Sequence, residues 1–253
     1  MTRALLLRGM LAGILAGVLA VGFGELFGER QIDRAVAFEA AMEQAAGHAS
    51  EQALVSRAVQ RSAGLLTAGV IYGAALGGLV ALVFAFAYGR VGPVGAKPLA
   101  ALIAAGGFVA IALVPQLKYP ANPPAIGDPA TIDLRTALYF EMMVIALAAL
   151  TLAVLLGRWL MSRLDRWNAS LIAIAAFIMI LATVQFVLPD VSEIPDGFPA
   201  DTLWRFRVAS LGMQVVLWSA LGVAFGFLAE RGMEGGVRRR HATELLRSAE
   251  DKT

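Results

Sequence analysis

The chain has 253 residues, 58% of them hydrophobic and 16% charged, with a mean hydropathy of +0.71 and a formal net charge of +2. That balance belongs to an integral membrane protein and excludes a soluble globular domain, and so small a net charge gives no reason to expect nucleic acid. Cysteine is absent and there are two histidines, His48 and His241. Disulfides, iron–sulfur clusters and thiolate metal sites are therefore excluded, and an all-histidine metal site within one chain is not expected.

Residues 5–27 predict a first transmembrane helix, with Arg8 near enough to its end to snorkel to the interface. The run is too long for the apolar centre of a signal peptide and no clean cleavage site follows it, so a retained span is expected. Gly9, Gly13 and Gly17 recur at four-residue steps. They share one helix face, where a neighbour can approach closely. Residues 28–62 turn polar but keep helix formers, with a break at Gly47-His48-Ala49-Ser50. This predicts a helical hairpin outside the bilayer, His48 at its tip, with Glu39 and Glu43 near Arg57 and Arg61. A second span over 64–88 repeats the glycine spacing at Gly69, Gly73 and Gly77, and a short basic link with Arg90 and Lys97 leads to a third span over 98–114.

Residues 115–129, PQLKYPANPPAIGDP, hold five of the ten prolines. Proline removes a hydrogen-bond donor and pushes the preceding residue out of the helical region, so the whole stretch is expected to be non-helical, stiff and extended at Asn122-Pro123-Pro124. A fourth span covers 136–160, a link with Arg158, Arg163 and Arg166 follows, and a fifth span covers 169–188. A second proline loop over 188–198, with Pro199 just beyond, brings Asp190, Glu193, Asp196 and Asp201 close in sequence. Such a cluster of one sign raises the local concentration of cations. A sixth span, 208–229, carries Gly222 and Gly226, again four apart and read as helix-packing positions like the other two sets. Trp159, Trp167 and Trp204 fall where an aromatic belt would place them.

The expected fold is thus all-α: one polytopic transmembrane domain over 1–229 with six spans, a helical hairpin between the first two, two proline-rich outer loops, and a charged tail over 230–253. Most of the 21 Lys and Arg residues lie on the side of the termini, although those segments are shorter, and most of the 19 acids lie on the other side. The positive-inside rule then puts both termini in the cytoplasm and both proline loops outside.

No phosphate-binding loop, dinucleotide fingerprint, nucleophile elbow or zinc-protease motif occurs, and no nucleophile and base pair falls at span depth, so an enzyme is not expected. Acids at membrane depth are costly and usually face the bundle interior, which singles out Glu25 and Glu141 as cation ligands. Glu25, Glu29 and Asp33 are each four apart and rise along one face of the first helix. Such a cluster can hold a divalent cation through oxygen ligands, which makes Glu29, with His48 as a nitrogen donor, a further candidate metal ligand; Glu29 and Asp33 have a plainer reading as partners of Arg30, Arg34 or Arg61, and His48 a plainer reading as a solvated loop histidine.

LVPQLKYPANPPAIGDP (113–129), VSRAVQRSAG (55–64) and LPDVSEIPDGFPADTLWRFR (188–207) together resemble the CbtA family of predicted cobalt transporter subunits. The resemblance runs from the first span through the sixth and rests most on Lys118-Tyr119-Pro120, Asn122-Pro123-Pro124 and Asp128. It implies cobalt uptake for cobalamin synthesis across a bacterial inner membrane, with Co2+ as the transported ion and no permanently bound cofactor. It also implies a companion, CbtB, a small one-span protein with histidines. A non-transporting scaffold, docking another transporter through its glycine faces and outer loops, is the alternative. Lys118 and Asp128 are the only charges of the first loop, which makes it a poor metal site and a better rigid lid or docking surface.

Overall fold

The computed structural model describes residues 2–47 and 56–233 in full, and the helical backbone alone over 234–250. Every regular element among the described residues is helical. Six helices are long and apolar enough to cross a membrane: α1 (Thr2–Phe27), α3 (Arg57–Ala87), α4 (Ala96–Lys118), α5 (Ile132–Leu160), α6 (Arg166–Val187) and the part of α7 (Ala200–Glu250) that ends near Met233. The polar α2 (Glu29–Ala45) follows α1 after Gly28 and forms the outgoing arm of the expected hairpin. Its tip, with His48, lies outside the described residues. Each expected span falls on one of the six helices.

The first proline loop begins later than its composition predicts. Helix α4 continues through Pro115 to Lys118. A π-helical turn at Phe108–Leu113 immediately precedes this proline, and the Val114 N–H bonds the carbonyl of Val109, five residues back. The ladder is thus already shifted where the proline ring and its missing donor enter it, so the helix survives. Ile111, four residues before Pro115, has its carbonyl hydrogen-bonded by the hydroxyl of Tyr139 at 3.4 Å.

The chain falls into two compact units, and α1, α3, α4 and α7 contribute to both. The first comprises residues 1–22, 58–105 and 216–253. Its helices meet through glycine. Gly9, Gly13 and Gly17 of α1 face Gly77, Gly73 and Gly69 of α3 in antiparallel order, and a methyl added at any of the three would collide with a carbonyl oxygen of the opposing helix. Backbones that close leave no room for side chains, and dispersion between them replaces the hydrophobic drive that lipid removes. Gly222 and Gly226 of α7 likewise abut Ala104, Ala100 and Lys97 of α4. Phe84 and Phe225, both fully buried, meet edge to face with centroids 5.2 Å apart.

The second unit comprises residues 23–57 and 106–215. One core gathers Ala110 and Val114 of α4 with Leu138, Met142 and Ala146 of α5, and closes over Tyr119. A smaller one joins Ala35 of α2 to Ile126, Phe198 and Leu203, with Phe38 edge-on to Phe198 at 5.1 Å. The hairpin arm and both proline loops therefore share one apolar nucleus.

Candidate functional site

The two proline loops are joined by side chains that the sequence singled out. Tyr119, 8% exposed, donates its hydroxyl to the carbonyl of Pro189 at 2.9 Å. Lys118 reaches the carbonyl of Gln185 at 2.8 Å and the carboxylate of Asp190 at 2.5 Å. Asp128 donates its N–H to Glu193 at 2.6 Å and caps the 3-10 turn that leads into α5. Glu193 also accepts from the Thr131 hydroxyl at 2.6 Å and lies 3.5 Å from Arg135 Nε. Asn122 accepts from Arg207 of α7 at 2.9 Å. Pro123 is fully buried, and its carbonyl accepts from the Ile126 N–H across a turn that holds Ala125 at φ 68°. A left-handed angle on a residue with a Cβ is a strained conformation, held here by the packing on either side. Gly127, at φ 115°, leaves the space that the Arg135 guanidinium fills.

The acids of the second loop are mostly engaged. Asp190 and Glu193 are paired as described, and Asp201 pairs with Arg205 at 2.8 Å and lies 3.8 Å from Arg34. The hydrogen bonds from Thr131 and Asp128 and the nearby charge of Arg135 hold the Glu193 carboxyl below its ordinary value. Asp196 is exposed. Asp190 and Glu193 thus fasten the two loops and Asp201 ties α7 to α2, while Asp190 and Asp201 keep 90% and 61% of their side chains exposed.

The carboxylates of the first helix separate. Glu25 is exposed, whereas Glu29 is buried and receives Arg57 at 2.7 Å, with Asp33 3.6 Å from the same guanidinium. Arg57 thus takes the place of Arg30, Arg34 and Arg61 as partner, and it pairs with Glu29 and Asp33 where Glu39 and Glu43 were expected. Spacing of four fixes which side chains share a face, but not the level at which two arms meet. Glu141 is exposed on α5. Glu25 and Glu141 therefore do not point into a packed interior of this chain, and no group of three histidine or acidic side chains suited to a metal forms among the described residues.

Over residues 2–230 the chain matches the family model described as "Probable cobalt transporter subunit (CbtA)". The chain belongs to the CbtA family. The match takes in all six apolar helices and both proline loops, so the fastened loops and the glycine ladders lie inside the family's extent. No curated protein and no solved structure gives a significant match. CbtA chains are described as transporter subunits, which agrees with a multi-pass membrane protein and points to a further component. Sequence reasoning passed over Arg135 and Arg207 of this CbtA chain. Arg207 meets Asn122 across 85 residues, and no local pattern marks so distant a partner.

Proposed function

We propose that this CbtA chain is the membrane subunit of a Co2+ uptake system that supplies cobalamin synthesis. It lies in a bacterial inner membrane with both termini cytoplasmic, and the cation enters from the outer, acid-rich face. The family match over residues 2–230 carries this reading. Co2+ is cargo and not a resident cofactor. Cobalt(II) takes nitrogen and oxygen ligands readily, and Glu25 and Glu141, exposed on α1 and α5, are oxygen donors open to a second chain. The companion that fits is a small single-span CbtB-like subunit bringing histidines, with His48 of this chain as a further nitrogen donor and Glu29 retained as a structural anion beside the path. The joined proline loops, with Lys118, Tyr119, Asn122 and Asp128 as their fasteners, act as a rigid lid or docking surface.

A non-transporting scaffold is the second reading, and its proposed docking faces are largely occupied. The glycine ladders of α1 and α3 are covered by each other, and Gly222 and Gly226 by α4. Accumulation of labelled cobalt in cells expressing this chain with its companion, against companion alone, separates the readings. Transport by this chain requires both components and a loss on Glu25→Gln with Glu141→Gln; equal uptake by the companion alone contradicts it.

A further inference from the structure

A cavity of about 750 Å3 opens between the ends of α4, α5, α7 and the second proline loop, within the second unit. Three cations line it: Lys118, Arg135 and Arg207. Lys118 is satisfied by Gln185 and Asp190, and Arg135 faces Glu193. Arg207 is different. Its partner is the neutral amide oxygen of Asn122, and no carboxylate pairs with it among the described residues. The Nε atoms of Arg207 and Arg135 are both buried without a hydrogen-bond acceptor. A guanidinium has five donors and no acceptor, and a part-buried one without an anion is costly. The rim has the opposite character: Leu117 is 69% exposed, Phe140 56% and Ile132 52%. Leu117 and Phe140 belong to helices that span the membrane.

A cavity lined by three cations against two acids, Asp190 and Glu193, with exposed apolar side chains at the ends of spanning helices, leaves Arg207 as the cation without a carboxylate and matches an amphiphile with an oxyanion head. We propose that this cavity binds the phosphate of an anionic phospholipid, with Arg207 as the main donor, Arg135 as the second, and the acyl chains against Leu117 and Phe140. Guanidinium and phosphate match in charge and in fork geometry. A free phosphate shares the head chemistry but gains nothing from the rim.

The experiment is native mass spectrometry of the full chain equilibrated with equal phosphatidylglycerol and phosphatidylcholine, with titration of inorganic phosphate in parallel. The wild type should retain phosphatidylglycerol about tenfold over phosphatidylcholine, and Arg207→Gln should remove most of that preference. Arg207→Lys, which keeps the charge and guards against a folding artefact, should retain part of it. Arg205→Gln, which alters a cation paired with Asp201 outside the cavity, should change nothing, and Leu117→Ser should weaken lipid retention. Equal retention of the two lipids, or full retention by a folded Arg207→Gln chain, overturns the proposal. Inorganic phosphate binding that depends on Arg207, with lipid retention indifferent to Leu117→Ser, also overturns it by assigning the site to a soluble anion.

Discussion

The hydroxyl of Tyr119 donates to the carbonyl of Pro189 at 2.9 Å and ties the first proline loop to the first proline of the second. Burial pushes the Tyr119 phenol up from its ordinary value, with Glu141 and Asp190 adding to the shift, so the group stays protonated and remains a donor. Tyr119→Phe leaves the ring in its core and removes the bond. The expected cost is about 1 kcal/mol, read as a fall of about 2–4 °C in the melting temperature of the detergent-solubilised chain. An unchanged melting temperature would mean that the loops are held without this bond.

Pro123→Ala with Pro124→Ala removes no charged group but loosens the turn in front of Ala125 and Ile126. Cobalt uptake or assembly with the companion should fall while the chain still reaches the membrane. Normal uptake in the double variant would tell against the lid.

Glu193 gives the joined loops a pH dependence. Its carboxyl is depressed below 4.5 by Thr131, Asp128 and Arg135, so its contribution is fully present above the ordinary glutamate value and is lost as pH falls through the lower folded value. Thermal melts from pH 7 down to pH 3 should show the wild type losing stability in the acid limb, and Glu193→Gln should lack that component. Parallel acid limbs in the two proteins would remove Glu193 as the cause.

Glu29 is 5% exposed and paired with Arg57, whose side chain is 37% exposed. Arg57→Ala strands a buried carboxylate, a change that costs 3–5 kcal/mol for fully buried pairs; with one partner partly solvated, about 2 kcal/mol is expected. Denaturant titration measures it, and Glu29→Gln in the Arg57→Ala background should recover part of the loss.

At the α1/α3 crossing, Gly13→Val sets two methyl groups against the backbone of Gly73. Overpacking of this kind costs 1–3 kcal/mol in a core that can yield, and about that or more is expected between two backbones. Gly22→Ala, with nothing within 4 Å of the added carbon, should be neutral or slightly stabilising. Comparable yields of the two variants on size-exclusion chromatography would contradict the close packing.

The spans were legible because twenty-residue apolar runs have few readings, and Gly9, Gly13 and Gly17 announced a close approach by spacing alone. Which helix answers them was not written locally; it took the matching steps at Gly69, Gly73 and Gly77 set in antiparallel order. Pro115 was misread as a helix end because the π-helical turn before it has no sequence mark. The partners of Asp190 and Glu193 were not legible, because Lys118 and Arg135 lie far away in sequence and meet them only across the folded loops. Arg207 stood in the sequence only as the last residue of the 188–207 stretch, and its place in a cavity comes from its contact with Asn122, 85 residues away.

Flux in proteoliposomes tests most directly the proposed transport of Co2+ by this chain with a histidine-bearing companion. With both proteins reconstituted and an inside-negative potential imposed, labelled Co2+ should accumulate, fall several-fold when Glu25→Gln and Glu141→Gln are combined, and cease without this chain. Flux that persists at the same rate in liposomes holding the companion alone would contradict the account.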